Sequence, residues 1–263
     1  VTSRCDEAIV LARARLAERD LLVVLLTHHG GVQRAVARRA RGGTRGGTGA
    51  ILEPLNRCRV SLFQRAGAEL ATLDEAALMR SAFALARWPA GWAAGQVVAE
   101  LATLFCPEGK PFQASFRLVD RCVEYLLAGG DPRLVVAYAE LWLLRLNGVL
   151  PDLARCAACG RSLGTGPWGW DAAAGHLFCG EHADRGSPEL LPAGAAAWLT
   201  LAIRGSLEQV RVPPPPAAAA WLRTLSEAFT ERQVRSRTFF QQVLAATLPG
   251  GGGPGGRRPA GET

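Results

Sequence analysis

The spacing of apolar positions changes near residue 75. Before it, short runs compatible with β-structure occupy 8–16, 21–27, 32–37, 51–63 and 69–73. They are separated by polar or turn-forming pieces at Glu18-Arg19-Asp20, His29-Gly30-Gly31, the arginine- and glycine-rich stretch 41–49, and Arg65-Ala66-Gly67. Five strands in about 75 residues predict a small barrel. An OB-fold leads because its five-stranded, partly open barrel is a common nucleic-acid scaffold. SH3-like barrels share the strand number and spacing, and periodicity does not separate the two.

After residue 75 the apolar positions recur every three or four residues. Asp74-Glu75 reads as the cap of a helix over 76–87, and further helices are expected over 91–104, 112–127, 132–146, 192–204, 217–230 and 233–248. Leu141, Leu144, Leu146 and Trp142 form a stripe that fits core packing better than a cofactor pocket. The expected fold class is therefore α+β and multidomain: an OB-fold barrel over 1–75 and an all-α domain over 76–248 that carries a metal-binding insertion at 152–185. The Pro213–Pro216 run reads as a stiff connector. The Gly/Pro/Arg-rich tail at 249–263 lacks core-forming residues and is expected to be disordered. Its formal G-x-G-x-x-G at Gly250, Gly252 and Gly255 has no flanking strand or helix, so it is compositional.

Apolar residues make up 49% of the chain, enough for a sizeable core. No run approaches 18 uninterrupted apolar residues, so no membrane span is expected. The first residues show no signal-peptide pattern, which makes the cytoplasm the expected compartment.

Charge narrows the function classes. The chain carries 30 Lys+Arg against 23 Asp+Glu, a net +7. Residues 30–65 alone hold eight basic groups and one acid, an excess as large as that of the whole chain. Concentrated charge of this kind attracts a polyanion, whereas a diffuse excess mainly aids solubility. Within the segment, Arg34, Arg38, Arg39, Arg41 and Arg45 run from a strand into a glycine-rich loop, where backbone can approach phosphates and guanidinium groups supply paired donors. These five are the candidate DNA-binding residues. Phe63 is the only aromatic residue before position 75, so stacking on bases contributes little and binding must rest on phosphate contacts. A second group, Arg232, Arg235 and Arg237, either extends this track or forms a polar helix face. Lys110 is the only lysine and sits in Gly109-Lys110-Pro111, which rules out a Walker P-loop.

The strongest chemical signal is Cys156-Ala157-Ala158-Cys159 followed by Cys179-Gly180-Glu181-His182. Three thiolates and one imidazole form the soft tetrahedral donor set that Zn(II) favours, and four protein ligands fill the tetrahedron, as in a structural site. A redox C-x-x-C opens a helix in a βαβ unit, which is missing here. A zinc deaminase needs H-x-E, which none of the four histidines offers. The intervening Gly-rich stretch 164–175, with Trp168 and Trp170, reads as a small loop unable to fold on hydrophobic burial alone. Cys5, Cys58, Cys106 and Cys122 read as free thiols of a reducing compartment. His28 and His29 read as turn residues rather than an acid–base pair. No G-x-S-x-G elbow or Ser/His/Asp order is present, so nothing supports a hydrolase.

An ordered set of motifs then resembles one family. Glu18-Arg19-Asp20-Leu21 before a strand ending Leu25-Leu26-Thr27, Gly31 to Ala37, Ala50 to Leu55, Gly148-Val149-Leu150-Pro151-Asp152-Leu153 directly before Cys156, and Arg235-Ser236-Arg237-Thr238-Phe239 resemble the RecO recombination mediator family over residues 8 to about 245. The resemblance implies an N-terminal OB-fold, a helical domain and an inserted zinc knuckle. It also implies a non-enzymatic repair protein that binds single- and double-stranded DNA, anneals complementary strands, and works with RecR. Together they would load RecA onto DNA coated by single-stranded-DNA-binding protein, whose acidic C-terminal tail would be a further partner. Arg34 and Ala37–Arg41 fall on the family's basic segment. The usual Gly-Ala-Arg or Gly-Ala-Lys element is replaced here by Arg39-Ala40-Arg41 and a glycine-rich loop, and His182 stands in place of a fourth Cys. The competing classes are a zinc-containing duplex-specific transcription regulator and a structural adaptor whose basic loop binds an acidic protein.

Overall fold

The computed structural model describes residues 2–40, 48–64, 67–183 and 189–247. Strands β1 (Thr2–Arg15), β2 (Leu21–Thr27), β3 (Gly31–Ala37), β4 (Arg57–Gln64) and β5 (Ala71–Arg80) form a closed barrel in the order β1-β2-β3-β5-β4. All neighbouring pairs are antiparallel except β3 with β5, and β4 closes the barrel on β1 from Thr2↔Gln64 to Ile9↔Arg57. This order, with a one-turn helix α1 (Thr48–Ile51) between β3 and β4, is the OB arrangement. Alternation does what it should: Val23, Leu25, Ala35, Ala37, Val60 and Leu73 turn inward to a barrel core that Leu52 helps to fill.

Two expectations change. The helix over 76–87 does not form: β5 continues to Arg80, pairing Cys58↔Leu78 and Arg57↔Arg80, and a short 3-10 turn at Phe83–Arg87 follows. The expected boundary between residues 75 and 76 therefore falls inside a barrel strand. Ala76, Ala77, Leu78 and Met79 are helix formers by propensity, but closing the barrel through β4 outweighs that local preference. The strand expected over 51–63 starts only at Arg57, because Pro54 and Leu55, the latter at φ 69°, bend the chain. The bend carries Leu55 out of the barrel and against helix α2 (Pro89–Phe105), where Gly95 leaves the room its side chain needs.

The helical body consists of α2, α3 (Gln113–Leu127), α4 (Pro132–Leu146), α5 (Ala193–Ala202), the single-turn α6 (Leu207–Val210), α7 (Pro216–Thr230) and α8 (Ser236–Thr247). Every long helix agrees with the expected span to within a few residues. Asp131 caps α4 by accepting hydrogen bonds from the Arg133 and Leu134 N–H groups, and a capping box at Ser206 and Gln209 starts α6. Leu141 and Leu144 are fully buried. Trp142 and Leu146 are only half-buried, and the Arg145 guanidinium lies over the Trp142 ring. Among the described residues no helix is long and apolar enough to cross a membrane.

The barrel is bound to the helices by polar contacts as well as by packing. Buried Asn56 donates to the Ile51 carbonyl and accepts from the Ala82 N–H. Arg57 on β4 pairs with Glu7 and with Asp120 of α3, and Arg80 at the end of β5 pairs with Asp120 and Glu124. At the start of β3 the Val32 N–H donates to the Pro107 carbonyl and the Val32 carbonyl accepts from the Gly109 N–H. Gly31, at φ 63°, lies so close to the Pro107 and Lys110 carbonyls that a Cβ there would collide with backbone. The lone lysine therefore belongs to a turn that buttresses the barrel.

Candidate metal centre and nucleic-acid interface

The knuckles lie between α4 and α5. Antiparallel strands β6 (Trp168–Asp171), β7 (His176–Phe178) and β8 (Glu189–Leu191) form a small sheet in the order β7-β6-β8. None of the three was expected. The stretch read as a loop unable to bury itself seats Trp168 and Trp170 in the core of the helical body, with Trp170 edge-on to Trp221 of α7 at 5.4 Å. Hydrophobic burial thus holds one side of the insertion, and that contact could not be read from residues 51 positions apart.

The four sequence-chosen ligands converge on the other side. One donor atom from each of Cys156, Cys159, Cys179 and His182 lies within 4.8 Å of the others. Cys159 Sγ is 4.0 Å from Cys179 Sγ, which is 3.2 Å from His182 Nδ1. Both knuckles are backbone turns: the Gly160 N–H donates to the Cys156 carbonyl, and the His182 N–H to the Cys179 carbonyl. A bond from the Ala157 N–H to the Leu177 carbonyl ties the first knuckle to β7. Burial opposes the Cys156 thiolate, but N–H groups of Cys179, Cys159 and Ala158 outweigh it and hold the thiol down at about 6. Burial and the two neighbouring sulfurs push Cys179 up. Crowded thiols with opposed shifts are what a cation would neutralise, so the donor set fits a metal ion. Arg161 pairs with Glu181 at 2.7 Å, and the Cys159 sulfur and Glu181 raise its pKa. The other thiols are different. Burial pushes Cys58 and Cys106 up to about 11 and Cys122 to about 12, so these behave as small apolar side chains, and Cys5 is exposed.

The basic edge of the barrel lies elsewhere. Arg34 faces outward from β3, and Arg38 and Arg39 follow the strand's end, both exposed. Arg34 pairs with exposed Glu108 at 2.9 Å, a contact that water screens heavily. Arg39 takes φ 53° and donates its N–H to Asp20, which fixes the chain as it leaves β3. Arg41 and Arg45 lie outside the described residues, as does the tail at 249–263. Arg13 on β1 donates to the Gly49 carbonyl and pairs with Glu53.

The second arginine group separates. Arg237 pairs with Glu140 at 2.6 Å; the two side chains are 11% and 1% exposed, so this arginine is part of the helical core. Burial raises the Glu140 pKa and Arg237 opposes that rise. Glu100 of α2 accepts from the Arg235 and Ser236 N–H groups and so caps α8. Sequence reasoning missed both acids because they lie 97 and about 135 residues away from their partners.

A closed OB-type barrel joined to a helical body with a four-donor knuckle defines a two-part protein with one basic edge and one cluster able to hold a metal. Comparison gives that class its family. The family model described as "Recombination protein O N terminal" matches residues 4–82, and "Recombination protein O C terminal" matches 89–238. The chain is 32% identical to the DNA repair protein RecO of Anaeromyxobacter sp. (strain K) over 242 residues, 89% of this chain and 94% of the relative. It is 34% identical to that of Anaeromyxobacter dehalogenans (strain 2CP-C) over 245 residues with the same coverage, and 38% identical to that of Koribacter versatilis over 159 residues, 60% of this chain and 64% of the relative. The chain belongs to the RecO family of DNA repair proteins.

Proposed function

We propose that this RecO-family chain is a non-enzymatic mediator of recombinational repair, acting in the cytoplasm at the nucleoid. It binds single- and double-stranded DNA through the basic segment that carries Arg34, Arg38, Arg39, Arg41 and Arg45. It anneals complementary strands and, with RecR, loads RecA onto DNA coated by single-stranded-DNA-binding protein, whose acidic C-terminal tail it also contacts. The observation that carries this reading is the concentration of a +7 excess in residues 30–65, with Arg34 and Arg38 both turned to solvent.

The mechanism is electrostatic. Two strands repel as polyanions, and a basic surface lowers that repulsion while the bases supply specificity. No covalent bond is made by the protein. Cys156, Cys159, Cys179 and His182 would hold a structural Zn(II), which would cross-link the two knuckles of the insertion and supply no chemistry of its own.

DNA binding measured against salt tests the proposal. About five arginine–phosphate contacts give a slope of log K against log salt of roughly −4 to −5 on duplex DNA. A flat response removes the barrel edge as a DNA surface. Preference for one duplex sequence favours a transcription regulator, and failure to bind or anneal DNA favours an adaptor whose basic loop binds an acidic protein.

A further inference from the structure

Among the described residues, one cluster outside the knuckle brings metal-ligating side chains together. His28 and His29 form the turn between β2 and β3, and Asp6 reaches them from β1. The Asp6 side chain is 1% exposed, and all its contacts are with this turn or its own strand: Oδ2 accepts from the His29 N–H at 2.9 Å, and Oδ1 accepts from the Glu7 N–H and from His29 Nδ1, each at 2.9 Å. An ionised carboxylate only accepts, so the proton of that contact sits on His29 Nδ1. The lone pair of His29 is then on Nε2, which accepts a hydrogen bond from His28 Nδ1 at 3.2 Å, and a metal ion that takes the place of this proton leaves His28 as the Nε2–H tautomer. The backbone fixes both residues, with the His28 N–H on the Glu7 carbonyl and the His29 N–H on Asp6. The ring of Phe116 on α3 meets the His28 ring edge-on at 5.2 Å.

We propose that His28 Nδ1 and His29 Nε2 chelate a divalent first-row transition-metal ion, with Asp6 behind His29 as the orienting carboxylate. Two nitrogens bound at about 2.0–2.1 Å to a tetrahedral ion are about 3.3 Å apart, the separation already present. A carboxylate on the far nitrogen of a ligating imidazole fixes the tautomer and raises its basicity, which is the arrangement Asp6 makes. Imidazole donors suit Zn, Ni and Cu rather than Mg or Ca. The turn opens onto a pocket of about 420 Å³ lined also by Arg57, Arg59, Arg117, Glu7 and Asp120, which leaves the remaining coordination positions to water. Asp6, Glu7 and Asp120 face the three arginines of this pocket in equal number, and Arg57 pairs with two of the three acids. The site depends on nothing in the Cys156–His182 knuckle or the DNA-binding reading.

The test uses the full chain without a histidine tag, first given one equivalent of Zn(II) to satisfy the thiolate donors, then titrated calorimetrically with Ni(II) while thiolate-to-metal charge-transfer absorption is followed. Wild type takes up one further equivalent with no thiolate absorption. His28→Ala and His29→Ala each lose it, Asp6→Asn weakens it by about 10- to 100-fold, and His176→Ala, on β7, keeps it. Circular dichroism of each variant confirms that the barrel is intact; His28→Ala removes only a half-exposed ring, so its result stands even if Asp6→Asn unfolds. No uptake by wild type overturns the proposal, as does uptake that survives the double His28→Ala/His29→Ala variant or that brings thiolate absorption.

Discussion

The barrel edge and the knuckle solve opposite electrostatic problems. At the knuckle, four donors able to hold a cation are drawn together by backbone turns and backed by buried tryptophans, so groups that would repel one another as thiolates are kept close. At the edge, Arg34 and Arg38 are exposed, and among the described residues only the screened Glu108 contact holds one of them. The contrast teaches where to look for function. Arginines that the structure uses, such as Arg57, Arg80 and Arg237, are paired with buried or half-buried acids, whereas Arg34 and Arg38 are not, which is why the proposed DNA contact is assigned to them.

Breaking the knuckle should have the largest effect. Cys156→Ser, or removal of metal by a chelator, is expected to lower stability by several kcal/mol, below the roughly 10–16 kcal/mol of isolated zinc-finger peptides, because Trp168 and Trp170 keep their seat in the core. Metal analysis with urea unfolding checks this, and an unchanged midpoint would show that the ligands do not hold the insertion. Arg237→Ala comes next. It leaves Glu140 unpaired in a dry site and should cost about 3–5 kcal/mol, again read by urea unfolding.

The edge variants should differ in kind. Arg34→Ala with Arg38→Ala is expected to change stability by no more than about 0.5 kcal/mol yet make the salt slope of DNA binding shallower by about 2. If that pair instead unfolds the barrel, the division between used and unused arginines is wrong. Smallest of all, Glu108→Ala releases Arg34 from an exposed pair worth about 0–1 kcal/mol. It should strengthen DNA binding at low salt by a few-fold at most, measured by fluorescence anisotropy.

Much of this was legible where local sequence decides. The alternation in β2 and β3, the three- and four-residue spacing from α2 to α8, and the two C-x-x-[CH] knuckles each state their own geometry. What escaped was set by distant partners. The stretch Asp74 to Met79 looks helical until β4 pairs with it. The sheet β7-β6-β8 has strands of three or four residues, too short for a period, and its two tryptophans are explained only by α7. Arg237 could not be sorted from Arg34 by sequence, since its acid lies on α4. His28 and His29 read as a turn, which they are; Asp6, 23 residues before His29, turns them into a chelating pair.

The most direct test is strand annealing on protein of known metal content, comparing wild type with the Arg34→Ala/Arg38→Ala/Arg39→Ala/Arg41→Ala variant over a range of salt. The account predicts that wild type speeds annealing and loses that effect as salt rises. The variant should anneal at least about ten-fold more slowly at low salt with its metal content and unfolding midpoint unchanged. A variant that anneals as fast as wild type, or a wild type that does not speed annealing at all, would contradict it.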